Sequence, residues 1–241
     1  MRVLAISTEK RGKYQMAVRI VVWGLILGAT SAVAQDGSLL QQKLTQMGEA
    51  TKNNQLQLRG YEWQESVAVT VDGHQPAPRQ SLCRYAADGS VLKTPLGSTD
   101  SNVKHGGPLR SHMMKEKQEE VAEVGKAAGQ YLPPDPNRLR DAVAAGRAAL
   151  ESDGQGATTV VFHDYQRPGD EMKLILDPAS MQVTRIEIST YLDSGRSPVL
   201  EQIRFARLAD GTLYPAQTAI QAPEKKVLIS ITNTNYVRLA P

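Results

Sequence analysis

Residues 171–192 read Glu171-Met172-Lys173-Leu174-Ile175-Leu176-Asp177-Pro178-Ala179-Ser180-Met181-Gln182-Val183-Thr184-Arg185-Ile186-Glu187-Ile188-Ser189-Thr190-Tyr191-Leu192. Met172, Leu174 and Leu176 alternate with polar or exposed-type neighbours, and so do Ile186 and Ile188. A period of two is the signature of a strand with one buried and one wet face. Asp177-Pro178 between the two runs is turn chemistry, so they form antiparallel neighbours joined by a short connection.

The same pattern extends in both directions. Strands are predicted over 158–165, 171–177, 182–192, 199–208, 213–221 and 226–238. Pro168-Gly169-Asp170, Ser194-Gly195, Asp210-Gly211 and Ala222-Pro223-Glu224 punctuate them. Short links between successive strands imply a meander. Upstream, Leu39, Leu40, Leu44 and Met47 recur at helical spacing, which predicts a helix over 38–52 ended by Asn53-Asn54. Tyr61, Trp63, Val67, Val69 and Val71 then fall on one parity, and 78–87 alternates again, so these two pieces predict a hairpin. Residues 93–108 are rich in Gly, Ser, Pro and Asn and predict a long mobile loop. Two helices follow. The first, 109–130, carries a thin stripe of Leu109, Met113, Val121, Val124 and Ala128, with Lys115 and Glu119 spaced as an i,i+4 pair. Pro133-Pro134 breaks it, Asp135 caps the second helix with Pro136 at its first position, and the alanine-rich run carries that helix to 151.

The fold class that results is α+β: a curved antiparallel sheet, an open half-barrel of eight or nine strands, whose concave face buries the helices. One domain is expected over 35–241, with a helical insert at about 108–153 acting as plug or lid. The chain has 241 residues, 41% hydrophobic, 22% charged and 5% aromatic, ample for a core.

Residues 1–34 read as a secretory signal. Arg19 precedes the apolar run Ile20 to Gly28, and Ala32-Val33-Ala34 is a cleavage site before Gln35. Met16 to Ala34 alone makes a complete signal, so Met1 and Met16 are both candidate starts. The alternative is an uncleaved N-terminal anchor. No later stretch approaches a membrane span, so a periplasmic or secreted location is expected. The whole chain has 28 Lys+Arg against 25 Asp+Glu; the segment 1–34 holds five of the bases and one of the acids, which leaves 23 against 24. A mature chain without excess positive charge argues against nucleic-acid binding. A single cysteine, Cys83, excludes an internal disulfide, a cysteine zinc site and dithiol redox chemistry; its place in an alternating run reads as a small buried hydrophobe.

No sequence motif announces a reaction. His74, His105, His112 and His163 match no common metal spacing, and His163 and Asp164 on a strand face opposite ways. Nucleophile-elbow, zincin, phosphate-loop and dinucleotide signatures are missing. Glu62, Glu65, Asp170, Glu171, Glu187 and Asp193 could supply a carboxylate pair, but solvated strand faces explain them. No catalytic residue, metal or cofactor is expected. Met113-Met114, after the flexible loop, suggests an adaptable apolar surface. A large sheet with few aromatics under a light, alanine-rich cover leaves room for an apolar cavity. Trp63, Met113, Met114 and Phe205 are the candidate ligand-lining residues.

The order of elements resembles the Lol-type lipoprotein carrier superfamily. The resemblance rests on the N-terminal helix, the strands through Tyr61-Glu62-Trp63-Gln64, the mid-chain helical pair and the final meander, and it covers nearly all of 38–238. It implies an exported protein with an open half-barrel that holds acyl chains or senses lipoproteins in the periplasm. With no cysteine at the cleavage site, the soluble carrier fits better than a tethered receptor. The expected function is a non-enzymatic carrier of a hydrophobic ligand such as a lipid or lipoprotein acyl chain. The alternatives are an envelope scaffold that binds a protein partner through a sheet face or edge, and a hydrolase without a recognisable motif.

Overall fold

A computed structural model describes residues 38–97, 108–152, 158–193 and 197–239, with the side chains of 108–114 outside the described set. The expected signal, residues 1–34, and the stretch 98–107 of the expected loop lie outside the described residues. Helix α1 covers 38–58 as described. Strands β1 (Tyr61–Val71), β2 (Arg79–Tyr85) and β3 (Val91–Leu96) follow, then helices α2 (Pro108–Gly129) and α3 (Pro136–Ala144). The meander comprises β4 (Ala148–Ser152), β5 (Thr158–His163), β6 (Glu171–Leu176), β7 (Val183–Tyr191), β8 (Pro198–Arg207), β9 (Leu213–Ala222) and β10 (Val227–Arg238).

All ten strands form one antiparallel sheet in the order β3-β2-β1-β10-β9-β8-β7-β6-β5-β4. Only the β1–β10 junction joins strands distant in sequence; the first three strands return to extend the end of the meander. The sheet is open, with β3 and β4 as its edges. This is the expected α+β open curved sheet, with one more strand than the upper expectation.

Three expectations are corrected. The second helix does not reach 151. It stops at Ala144, because Gly146 takes a left-handed φ of +67° and the Gly146 and Arg147 amides donate to the Val143 and Ala142 carbonyls. That pair of bonds is a glycine-terminated helix end. Arg147 then leads directly into β4, and the His163 amide donates to its carbonyl at 2.9 Å. The helical stretch therefore ends short of the expected 153. The predicted loop also starts too early, since Lys93–Leu96 belong to β3. Pro95 is tolerated there because β3 is an edge, where one backbone side needs no partner. Helix α1 likewise runs past Asn53-Asn54. The Asn54 amide grips Leu213, donating to its carbonyl at 2.7 Å and accepting from its N–H at 2.6 Å. A residue that reads as a helix stop serves as a clamp between α1 and the start of β9.

The strand register puts the apolar parity on one face. Val160, Leu174, Ile186 and Ile203 align across β5 to β8, and Phe162, Met172 and Ile188 form the next row. Leu40 and Met47 of α1 and Leu139 and Ala142 of α3 pack onto these rows as one cluster. A second cluster lies under α2. There Val124, Ala127 and Ala128 meet Leu192, Val199, Ile220, Ala222, Val227 and Ile229, with Val67, Val69 and Val71 at its margin. Cys83 is fully buried, as its alternation predicts.

One polar knot fixes the helices to the sheet. The Tyr131 hydroxyl, just past α2, donates to Asp170 at 2.5 Å and lies 2.8 Å from the Thr190 hydroxyl, which can donate to it. The buried Asp170 carboxylate also accepts from the Tyr165, Gln166 and Arg167 amides at 2.6, 3.0 and 2.9 Å. Burial, and then the hydrogen bond to Asp170, push the Tyr131 hydroxyl up to about 12. A second tie runs from the Asp135 amide to the Tyr165 hydroxyl at 2.8 Å, while the Asp135 carboxylate caps α3 through Asn137. Replacing Tyr131 by Phe leaves a buried carboxylate one donor short, and such groups cost about 1–3 kcal/mol. Urea unfolding of Tyr131→Phe is expected to show a loss of about 2 kcal/mol with an unchanged slope.

Candidate functional site

The two apolar clusters are covered unequally. Over β5 to β8 the cover is bulky: Leu40, Met47, Leu139 and Tyr131. Over the second cluster, on β8 to β10, the described cover is α2, whose inward side chains are Val124, Ala127 and Ala128 with Val121 half-buried. Its remaining described positions are mostly charged or polar and exposed. Small residues let the helix lie close to the sheet, but they bury little area, and burial is what holds a helix down. Two ion pairs also attach it. Lys117 meets Asp72 of the turn after β1 at 3.2 Å, and Glu120 meets Lys225 of the β9–β10 turn at 3.7 Å. The first pair is solvent-exposed, and such pairs contribute about 0–1 kcal/mol and weaken with salt, whereas the second is partly buried. The firm anchor is at the far end, at Tyr131.

Glu201 lies on this covered face. It follows Val199 and precedes Ile203 on the inward parity of β8, with Ile188 of β7 and Ile220 of β9 directly beside it. Its row continues to Ile229 and Val69. The side chain is buried, 5% exposed, and among the described residues Oε2 has no hydrogen-bond partner. Burial alone pushes its carboxyl up to about 7; no neighbouring charge contributes. A carboxylate among isoleucines and valines is held against a large desolvation cost.

At the lower end of the same face stands an aromatic group. Trp63 stacks on Tyr236 with centroids 5.5 Å apart and planes 9° apart, and Tyr85 lies 5.2 Å from it. The Trp63 indole N–H donates to Asn233 at 3.1 Å, and Asn233 donates in turn to the Pro215 carbonyl at 2.7 Å. Tyr61 closes the end by donating to Asp210 at 2.7 Å. The opposite face of the sheet carries a polar groove of about 360 Å³ between β8, β9 and β10, lined by residues including Gln202, Arg204, Gln217, Ser230 and Thr232. Its lining does not suit an apolar chain.

The four residues singled out in the sequence are not gathered into one described cluster. Trp63 sits in the aromatic group on β1, and Phe205, half-buried on β8, packs against the α1–α3 cluster. Met113 and Met114 lie in α2, and their side chains are outside the described residues. Reading the sequence missed Glu201. The signal was present: Val199, Glu201, Ile203 and Phe205 share a parity, and an acid interrupts an otherwise apolar side. His163 pairs with Glu171 across the β5–β6 ladder at 3.3 Å, and its neighbour Asp164 bonds the Gly169 amide. No group of three or more metal-ligating side chains gathers among the described residues. Among them, too, no helix is long and apolar enough to cross a membrane.

An open antiparallel sheet with helices over one face is therefore the class that the structure defines. No family model matches the chain, and no curated protein matches it in sequence. Solved structures resemble it in fold. A DUF1329 family protein from Desulfovibrio piger is 9% identical, with a TM-score of 0.42, over 83% of this chain and 92% of that one. A LolA superfamily protein from Nitrosomonas europaea is 11% identical, with a TM-score of 0.39, over 83% and 93%. A domain described as an outer membrane lipoprotein-sorting protein, from Vibrio parahaemolyticus, is 11% identical, with a TM-score of 0.43, over 79% and 91%. Likeness at this level transfers no residue role, ligand or partner.

A carboxyl with a raised value in the folded chain binds its proton more tightly there than in the unfolded chain. Its contribution is thus most favourable below the ordinary glutamate range and is lost as pH rises towards 7. With a folded value of about 7 against 4.5, the loss approaches about 3 kcal/mol. Denaturation midpoints between pH 5 and 8 are expected to fall for the native chain and to fall much less for Glu201→Gln.

Proposed function

We propose that the protein is an exported carrier, working in the periplasm or outside the cell, for a hydrophobic ligand such as a lipid or a lipoprotein acyl chain. The ligand would lie against the inner face of the sheet between β8 and β10, beneath α2. The observation that carries this reading is the mismatch between that face and its cover. A largely apolar surface of branched side chains, interrupted at Glu201, is closed by two alanines and a valine on a helix whose outer half is also held by ion pairs. A chain with more apolar bulk than these side chains could displace α2 and gain about 0.8 kcal/mol for each methylene it buries. Met113 and Met114 are the proposed contacts from the helix, and Trp63 and Phe205 are proposed to bound the site towards the lower end of the face.

A second reading has its own observation. Strand β3 is an edge whose six residues are all exposed, with Val91, Leu92 and Leu96 each about two-fifths accessible. An unpaired apolar edge can receive a strand from a partner. In that reading the protein is a non-enzymatic scaffold of the envelope.

Native mass spectrometry of residues 35–241, purified from a periplasm without detergent, separates the two. The carrier reading predicts extra mass that is lost on denaturation and is identified as lipid in an organic extract. A bare mass, with a stable protein complex recovered by crosslinking in cells, would favour the scaffold and contradict the carrier.

A further inference from the structure

On the largely apolar face beneath α2 one buried carboxyl stands among branched side chains. Glu201 interrupts that face between Ile188 and Ile220, with Val199 and Ile203 on either side along the strand. A leucine there would continue both clusters and remove the cost of burying a carboxyl. Two charged groups of α2 are paired elsewhere: Lys117 with Asp72 and Glu120, and Glu120 with Lys225. Among the described residues Oε2 of Glu201 is left without a donor. A buried group of this kind has an unmet demand for an N–H or O–H, and a ligand lying on the face would bring its own atoms within reach.

Resting on the carrier reading above, we infer that Glu201 is the polar anchor of that site and selects an amphiphile whose apolar chain bears a cationic N–H donor. The chain covers Val199, Ile220 and Ile229, and the ammonium meets the Glu201 carboxylate. The pairing neutralises the buried charge and satisfies the open acceptor together, as charge-assisted hydrogen bonds in a dry site do. The same carboxylate disfavours chains that end in carboxylate or phosphate, because two like charges would share one desolvated site.

Three probes of equal chain length test this by isothermal titration calorimetry at pH 8, below micelle formation: dodecylammonium, dodecanol and laurate. The native chain is expected to bind them in that order, with at least about a tenfold gap between the first and the last, equivalent to about 1.4 kcal/mol. Glu201→Leu is expected to fold with an equal or higher midpoint and to bind all three within about threefold of one another. Glu201→Gln, which keeps the size and loses the charge, should lose most of the preference for the ammonium. Equal binding of the three by the native chain, or the same order retained in Glu201→Leu, would overturn the selectivity while leaving the carrier reading standing. Binding of none of them would overturn both.

Discussion

The Asp170 carboxylate accepts from one phenol and three successive backbone amides in the interior. The amides belong to the β5–β6 turn, and the phenol, Tyr131, belongs to the connection between α2 and α3. A single buried anion thus ties the helical layer to the meander. Such a group tolerates little change, because each lost donor leaves part of a charge unsolvated. Nearby bonds reinforce the joint: the Asp135 amide to the Tyr165 hydroxyl, and the Gln166 side chain to the Gln130 carbonyl at 2.8 Å. Arg167 extends it outward, pairing with Asp193 at 2.6 Å and lying over the Tyr191 ring.

Because that joint lies at one end of α2, the two halves of the helix have different constraints. The end near Tyr131 packs through Val124, Ala127 and Ala128. The earlier half is held, among described residues, by pairs that salt screens. The bulky helices α1 and α3 are committed to the other cluster, and α1 is also clamped through Asn54 to Leu213 at the start of β9. The inner face therefore carries bulky packing on one side and a lighter cover on the other. Glu201 sits on the lightly covered side.

Much of this architecture was legible in the sequence, because strands with one wet face write their orientation as a period of two. Met172, Leu174 and Leu176, and Tyr61, Trp63, Val67, Val69 and Val71 on β1, share the parities that the alternation predicts. The Asp135–Pro136 start of α3 and the Lys115–Glu119 pair, 3.9 Å apart, were equally readable. The errors share a cause: residues whose local preference is overruled by a distant partner. Asn54 reads as a helix stop until Leu213 engages it. The alanines before Arg147 suggest a longer helix until Gly146 turns the chain and β5 claims the next residues. Lys93 to Leu96 read as loop until β2 pairs with them. The candidate site was legible as a face but not as a set of residues. Trp63 and Phe205 drew attention as bulky aromatics, whereas Glu201 is informative only through its place in the register.

Hydrogen exchange resolved along the native chain tests the central claim most directly. If α2 is a hinged cover over an otherwise fixed sheet, its amides in 115–124 exchange through a local opening well below the free energy of global unfolding. Those of β6 to β8 and of the Asp170 turn would exchange only near the global limit. The early amides of α2 would also exchange faster in high salt. Exchange of α2 at the same rate and with the same denaturant dependence as β7 would contradict the account, because it would make the helix part of one indivisible core.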